Sequence, residues 1–299
     1  MTLMIVAPLS SRAAEGSFGT HLPLGHPGFG LAVAPPPGNY LASSTLVLRG
    51  DIQRGSPLPV VPVTQDISGV FTAVSYTRVL QQKVLGATYG FGAGIPFVNG
   101  HTDGLLKLGP TTIEGSDRRG FVGDPSFMPV SMWWSSGNVH VNWSEIVIAP
   151  WGDFAKDRLV KGGFNAWSLH SQVAISVFTT DRKIEVGVLG AHVVSARNHE
   201  TDYRSGQELA VEGVLNAYLT PAFAVGVRGY VMGQITGDTG SAAILSAHKG
   251  KAIGLGPAIM WRPEIADGRL SLSATVTHDV LTVQRYKTDA LRINAGWKF

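Results

Sequence analysis

The sequence predicts an all-β protein, a closed antiparallel barrel of about twelve strands that spans a membrane. Three observations lead to this prediction. Charged residues make up only 15% of the chain, well below the roughly 25% that is typical of soluble domains. Glycine is frequent, with 37 residues. Apolar and polar residues also alternate with a period of two in segment after segment, as expected for strands with one apolar face.

The alternating segments are long enough to cross a bilayer. Most reach the roughly 9 to 11 residues that a tilted transmembrane strand needs, whereas no apolar run approaches the roughly 18 to 20 residues of a spanning helix. The twelve candidate strands lie near residues 38–49, 68–80, 84–96, 121–134, 138–149, 163–178, 183–195, 206–219, 221–236, 249–262, 268–281 and 288–299.

The connections between these candidates alternate between short and long. The short ones follow the even-numbered candidates and read QQK, SSG, TTDR, Thr220 alone and PEIAD; the long ones are 50–67, 97–120, 150–162, 196–205 and 237–248. Short turns at one end and long loops at the other are typical of outer-membrane barrels. A soluble sandwich or lipocalin-like barrel has no reason to separate its loops in this way. An even number of strands would place both termini on the periplasmic side, and the last strand would close the barrel against the first.

The N-terminal residues divide into two expected segments. Residues 1–13 contain a short apolar stretch followed by small residues, which is typical of the end of a secretory signal cleaved after Ala13. No basic residues open that stretch, so its start is expected to be truncated or misassigned; the alternative is a frayed apolar terminus. Residues 14–37 are rich in Gly and Pro and either plug the barrel mouth or form a periplasmic segment. The barrel is expected to occupy residues 38–299.

Several segments carry a characteristic order of Gly, Pro, Asn and aromatic residues: APWGDF, LVKGGFNAW, ETDYRSGQELAVEGVLNAYL, GVRGYVMGQITGD and GLGPAIMW. From about residue 14 onward the chain resembles the meta-pathway phenol-degradation family of outer-membrane proteins. The resemblance implies a channel in the outer membrane of a Gram-negative bacterium that gives small hydrophobic or aromatic compounds a passive path. It implies no cofactor and no catalytic residues. The expected partners are outer-membrane lipid, the barrel assembly machinery and the small ligand.

Five polar residues lie on the non-lipid phase of two adjacent candidate strands: Glu208, Glu212, Arg228, Tyr230 and Gln234. An arginine facing lipid near the membrane midplane would cost roughly 2 to 4 kcal/mol, so the lumen is the expected location. These residues are interpreted either as a polar constriction on the substrate path or as a salt-bridge network that fills the lumen.

The final strand places Leu291, Ile293, Ala295, Trp297 and Phe299 in one phase. That phase is expected to face lipid, with Trp297 and Phe299 as anchors at the periplasmic interface. A terminal Phe strand also resembles the motif that the barrel assembly machinery reads. Most of the seven tryptophans are predicted near strand ends, where aromatic girdles lie; stacking on an aromatic substrate is the alternative role.

The sequence gives little support for a catalytic site. His140, Asn142 and Ser144 share a strand face, as in a lipid hydrolase, but His140 and Ser144 would lie roughly 13 Å apart along a strand. Ser168 and His170 are better spaced, yet they are expected to face the lumen rather than a lipid ester. The GFGAG segment lies within a strand and lacks the spacing of a dinucleotide-binding loop. We therefore expect no enzyme activity.

Other site types also lack support. The nine histidines are dispersed, with His21, His26, His101 and His248 in expected loops or the tail, so no metal site is predicted. The net charge is only +3 and the basic residues are scattered, so no nucleic-acid surface is predicted. The main rival function is a barrel without transport, acting as a structural protein, adhesin or receptor through residues 97–120 and 150–162.

Overall fold

The computed structural model describes residues 28–55, 62–108, 111–156, 158, 160, 162–241, 249–263, 268–283 and 285–299. Within these residues the chain forms thirteen strands. They are β1 (Gly38–Gly55), β2 (Pro62–Val84), β3 (Ala87–Leu108), β4 (Thr111–Val122), β5 (Ser126–Ser136), β6 (Val139–Ile148), β7 (Ser168–Phe178), β8 (Ile184–Ser195), β9 (Glu208–Thr220), β10 (Phe223–Gln234), β11 (Lys251–Trp261), β12 (Leu270–Val283) and β13 (Lys287–Lys298). None of the described residues belongs to a helix long and apolar enough to cross a membrane.

Twelve of these strands close into an antiparallel ring. Each pairs with its neighbours along the chain, β3 pairs with both β2 and β5, and β1 pairs with β13 from Tyr40↔Lys298 to Asp51↔Lys287. The thirteenth strand, β4, lies outside the ring and pairs with the second half of β3. The predicted twelve-stranded closed antiparallel barrel is therefore confirmed.

Two predicted strands were wrong in their limits. Residues 121–134 do not form a single strand, because β4 ends at Val122 and β5 begins at Ser126. The break contains Gly123 and Pro125, and proline has no N–H to donate to a neighbouring strand. The predicted strand 163–178 also begins later, at Ser168.

Two predicted loops are instead extensions of strands. Residues 50–67 and 97–120 were expected to be loops, but β1 and β2 pair as far as Gly55↔Pro62, and β3 and β4 pair as far as Leu108↔Thr111. These polar ribbons continue beyond the apolar part of the barrel, which is why their composition resembles that of loops. His101 accordingly lies in β3 and not in a loop.

The two ends of the barrel differ as expected. At one end, called here the short-turn end, residues 85–86, 137–138, 179–183 and 221–222 join successive strands. Leu85 and Gly86 have φ of 49° and 75°, as in the two-residue hairpin turns that match strand twist. This turn therefore follows Val84, and the predicted turn at residues 81–83 was wrong. At the other, long-loop end, residues 149–167, 196–207 and 235–250 connect strands, whereas β12 and β13 are joined by residues 284–286 alone.

Side chains alternate between the two faces of the wall. In β11, exposed and buried residues alternate without interruption from Lys251 to Trp261. Large apolar side chains on the outer face stay exposed, for example Val173, Val211 and Leu215 at 48%, 53% and 55%. An exposed apolar outer band is what lipid requires of a transmembrane barrel.

Candidate functional site inside the barrel

Residues 28–37, called here the inner segment, precede β1 and lie against the inner wall. Leu31 and Ala32 are buried, and their cluster contains the inward-facing side chains Ala174, Leu189, Ala191 and Val214 of β7, β8 and β9. The segment contacts the barrel close to its short-turn end, where β1 begins at Gly38. It therefore occupies part of the lumen at that end.

The carboxylate of Glu185 holds the inner segment. Glu185 is the second residue of β8, points inward and is fully buried. Its Oε2 accepts a hydrogen bond from Gly30 N at 2.8 Å, and its Oε1 accepts one from Leu31 N at 2.8 Å. Two successive backbone N–H groups that bind one carboxylate form a small anion-binding concavity. Here the segment supplies the concavity and the wall supplies the anion.

Three wall side chains complete the bonding of this carboxylate. Ser176 Oγ donates to Oε1 at 2.7 Å, while Asn216 Nδ2 and Tyr218 Oη donate to Oε2 at 2.9 and 2.8 Å. Hydrogen bonds to a charged acceptor are stronger than neutral ones, contributing about 1.5 to 3 kcal/mol each. These four side chains, Ser176 of β7, Glu185 of β8, and Asn216 and Tyr218 of β9, are called here the Glu185 latch.

The backbone of the inner segment is shaped for this contact. Gly28 and Gly30 have φ of 79° and 62°, a region that glycine enters without steric cost. Asn216 Nδ2 also donates to Gly28 O at 2.7 Å, and Val33 N donates to Gly30 O at 3.0 Å. The chain therefore turns tightly on both sides of Phe29.

Phe29 enters a pocket of the wall beside the latch. It is 5% exposed and packs against Ala224, Ala258 and Met260. The Tyr218 ring meets it edge to face, with centroids 6.5 Å apart and an interplanar angle of 85°. Such T-shaped pairs are a favoured aromatic geometry.

The aromatic contacts continue along the wall. Tyr218 lies 5.9 Å from Phe178, and the His140 ring lies 5.5 Å from Phe178 in a T-shaped arrangement. The guanidinium of Arg182 lies over the Phe178 ring at 5.0 Å. Several aromatic faces are therefore available at the short-turn end of the lumen.

The five polar residues predicted for the lumen all point inward and are buried, but they fall into three groups. Glu212 and Arg228 form the first, with Oε2 and Nη2 2.5 Å apart and side chains only 4% and 3% exposed. Their Cα partners across the hairpin are Tyr230 and Val214. Arg292 of β13 also points inward and donates to Ser44 Oγ at 3.1 Å.

Tyr230 belongs to the second group. Its hydroxyl donates to Asp279 Oδ1 at 2.5 Å, and Oδ2 of the same aspartate accepts from Thr288 N and Oγ1 at 2.8 and 2.7 Å. Gly254 makes room for this ring, because a Cβ at that position would lie 2.4 Å from Tyr230 Cζ. The Tyr230 contact thus ties β10 to β12 and β13.

The third group lies towards the long-loop end. Glu208 Oε1 is 3.5 Å from Arg285 Nη1. Gln234 donates to Asp238 Oδ1 at 2.7 Å and accepts from Gly250 N at 3.0 Å. These contacts anchor loops. The five residues share the inner face of the β9–β10 hairpin, where Glu212 lies opposite Tyr230 and Glu208 opposite Gln234, but their side chains bond to three different sets of partners. Their role in the substrate path stays a prediction.

The residues considered for a hydrolase have other partners. Ser144 Oγ is bonded to Asn142 Oδ1 at 3.0 Å, and Ser168 Oγ lies 3.0 Å from Ser195 Oγ. His140 Nδ1 is 2.8 Å from Ser135 Oγ, while its Nε2 is 3.1 Å from Arg182 Nη2. Because arginine only donates, Nε2 must accept and Nδ1 must carry the proton. The Ser135–His140 contact is therefore not that of a nucleophile and its base.

The remaining sequence candidates are placed as follows. Trp297 and Phe299 are outward and exposed at the short-turn end, at 40% and 60%, and their anchoring role stays a prediction.

The GFGAG segment lies within β3, and a Cβ at Gly92 would meet Tyr76 O at 2.5 Å. His21, His26 and His248 fall outside the described residues. Within the described part of the chain, no group of three or more His, Asp or Glu residues is arranged to hold a metal ion.

The sequence profile of one protein family matches residues 51–295; its description is "Putative MetA-pathway of phenol degradation". This chain belongs to that family. The match covers most of the barrel, so the predicted resemblance is confirmed. No significant match was found among curated proteins.

Solved structures of outer-membrane barrels are similar to this family member. The COG4313 outer membrane channel from Pseudomonas putida F1 has a TM-score of 0.71 and 13% sequence identity, over 89% of this chain and 97% of that one. A Pseudomonas aeruginosa FadL homologue has a TM-score of 0.47 and 8% identity, over 88% and 91%. The β domain of the Bordetella autotransporter BrkA has 0.47 and 11%, over 88% and 100%. Only the first likeness bears on the fold, which it shows to be that of an outer-membrane barrel.

Sequence reasoning missed the Glu185 latch. Glu185 stands between Ile184 and Val186 on the polar phase of a strand, so its inward orientation was readable from the alternation. Its main partners are 154 and 155 residues away along the chain. No local pattern links Glu185 to the inner segment.

Proposed function

We propose that this protein is a passive outer-membrane channel for small hydrophobic or aromatic compounds, and that the inner segment closes its short-turn end. Movement through the channel follows the concentration gradient, which is maintained by consumption of the compound inside the cell. Residues 28–37 then correspond to a plug, one of the two alternatives that the sequence left open for the Gly/Pro-rich tail. The short-turn end faces the periplasm.

The single observation that carries this proposal is the way the inner segment is held. Its contacts with the wall include hydrogen bonds to Glu185 and its neighbours Ser176 and Asn216, a hydrogen bond from Tyr40 to Pro36 O, and the packing of three apolar side chains, Phe29, Leu31 and Ala32. A segment held by a few noncovalent contacts can leave and return without unfolding the barrel. Membership of a phenol-degradation family supports the same class of permeant.

The test is uptake of labelled phenol by a bacterial strain that lacks this protein. At low phenol concentration we expect slower initial uptake in the deletion strain and recovery when the wild-type chain is supplied. A control strain receives the chain with Leu215 changed to Ala on the lipid-facing side of β9, which should restore uptake. Equal uptake by the deletion and wild-type strains would overturn the transport proposal.

A second function is favoured by the paired extensions of β1–β2 and β3–β4 beyond the barrel ring. These extensions lie at the long-loop end and suit a receptor or adhesin. If removal of both ribbons abolishes a surface interaction and leaves phenol uptake unchanged, the two functions coexist. If it abolishes uptake as well, the ribbons belong to the transport path.

A further inference from the structure

The Phe29 pocket has the form of a binding site for one aromatic ring. It is lined by Ala224, Ala258 and Met260, and by the Tyr218 ring, which forms a T-shaped pair with Phe29. Thioethers and aromatic edges both make favourable contacts with a ring. What fills the site is a phenyl group supplied by the chain itself.

The inner segment presents that phenyl group as a separate unit. Positive φ at Gly28 and Gly30 turns the backbone on each side of Phe29, and both neighbouring peptides are bonded to Asn216 or Glu185. The Phe29 side chain can therefore pack between inward-facing side chains of the wall while the backbone of the segment stays in the lumen.

Polar groups stand at the rim of the same pocket. Tyr218 contacts the Phe29 ring and donates to Glu185 Oε2, which also accepts from Asn216. If the segment leaves, Glu185 keeps its bonds from Ser176, Asn216 and Tyr218. The carboxylate loses the two backbone N–H donors of the segment, and Asn216 loses its bond to Gly28 O. A phenol hydroxyl can replace these bonds, because it donates to a carboxylate and accepts from an amide.

We propose that the Phe29 pocket is the binding subsite for a single-ring aromatic permeant, and that Phe29 occupies it until the permeant displaces the inner segment. This inference rests on the proposed function for the movement of the permeant, but not for its binding. Displacement by competition lowers the apparent affinity of the wild-type protein, because only the fraction with an empty pocket can bind.

The first test measures phenol binding to the full chain in lipid nanodiscs by titration calorimetry. Phe29→Ala empties the pocket, and Phe223→Ala removes a phenyl from the outer face of the same wall as a matched control. We expect Phe29→Ala to bind phenol saturably and about tenfold or more tighter than wild type, because phenol no longer competes with Phe29 for the pocket. Phe223→Ala should equal wild type, and cyclohexanol should bind more weakly than phenol. Absence of saturable phenol binding in folded Phe29→Ala would overturn the proposal.

The second test leaves Phe29 in place and uses the absence of cysteine from the chain. Ala32 is fully buried, so a thiol in Ala32→Cys should react slowly with a water-soluble maleimide. We expect phenol to raise the labelling rate in a saturable manner and cyclohexanol to have less effect. A labelling rate that does not respond to phenol would contradict displacement.

The two proposals fail separately. If phenol binds as expected but the deletion strain takes up phenol normally, the transport function is wrong and the pocket assignment stands. If uptake depends on the protein but neither variant responds to phenol, transport stands and the pocket assignment is wrong.

Discussion

At the residue scale, Glu185 secures the inner segment through the successive N–H groups of Gly30 and Leu31. Its position two residues from the short-turn end of a strand gives it access to the segment, and its partners on neighbouring strands hold the carboxylate in place. Its inward orientation was predictable from the alternation in β8. Its partner was not, because contacts between residues so distant in sequence leave no local pattern.

We predict that Glu185→Gln loosens the inner segment and leaves the barrel folded. The amide keeps one acceptor oxygen and directs N–H groups toward backbone donors, so a charged hydrogen bond is lost, about 1.5 to 3 kcal/mol. Hydrogen exchange at Gly30 and Leu31 should become roughly 10 to 100 times faster. Glu200→Gln, in a loop, is the matched control. Unchanged exchange in Glu185→Gln would show that apolar packing alone holds the segment.

The buried pair of Glu212 and Arg228 makes a different prediction. Removal of one partner leaves the other charge buried, which costs about 3 to 5 kcal/mol. Glu212→Gln and Arg228→Met should each lower the thermal unfolding temperature of the barrel, measured by circular dichroism in detergent. The double variant should recover most of the loss. Single variants as stable as wild type would mean that lumenal water screens the pair.

At the scale of elements, the pairing of β3 with β4 shows which strand limits the alternation of apolar residues could predict and which it could not. Alternation of apolar residues ended near residue 96, and the polar sequence beyond it was interpreted as a loop. Strand pairing nevertheless continues to Leu108↔Thr111 in β3–β4 and to Val63↔Leu106 in β2–β3. The backbone hydrogen bonds of this extended sheet do not require an apolar face. The interruption between β4 and β5 at residues 123–125 has a local cause, since it contains Gly123 and Pro125. Both residues were visible in the sequence, but the alternation on either side led to the prediction of one continuous strand.

We predict that the β3–β4 ribbon is dispensable for barrel closure. Replacing residues 101–118 by Asn-Gly joins Gly100 to its partner Arg119 through a favoured hairpin turn. Residues 63–68 of β2 lose their partners in β3, but every ring strand keeps both of its neighbours nearer the short-turn end. The variant should therefore insert and keep the heat-modifiable migration of a folded barrel on electrophoresis. A matched change within the ring, deletion of residues 170–175 in β7, should prevent folding. Failure of the ribbon variant to insert would assign the ribbon a part in assembly.

At the scale of the whole molecule, closure was predictable because lipid imposes it, and the strand number followed from the count of alternating segments. Every spanning backbone group must be paired, so a sheet with a lipid-facing apolar phase has to close on itself. The path of the inner segment was not predictable in this way. Its Gly and Pro residues carry no periodicity, and Phe29, Leu31 and Ala32 gain their positions only from a wall that other strands build. The sequence left plug and periplasmic tail as alternatives for that reason.

The most direct measurement of the central claim, that a removable inner segment closes a passive channel, is single-channel conductance in planar bilayers. The wild-type chain is compared with a variant lacking residues 14–37, and the ribbon variant of residues 101–118 serves as the control for shortening elsewhere. We predict a markedly higher conductance for the variant without the tail and a wild-type value for the ribbon variant. Equal conductance of the wild type and the tailless variant would contradict the account.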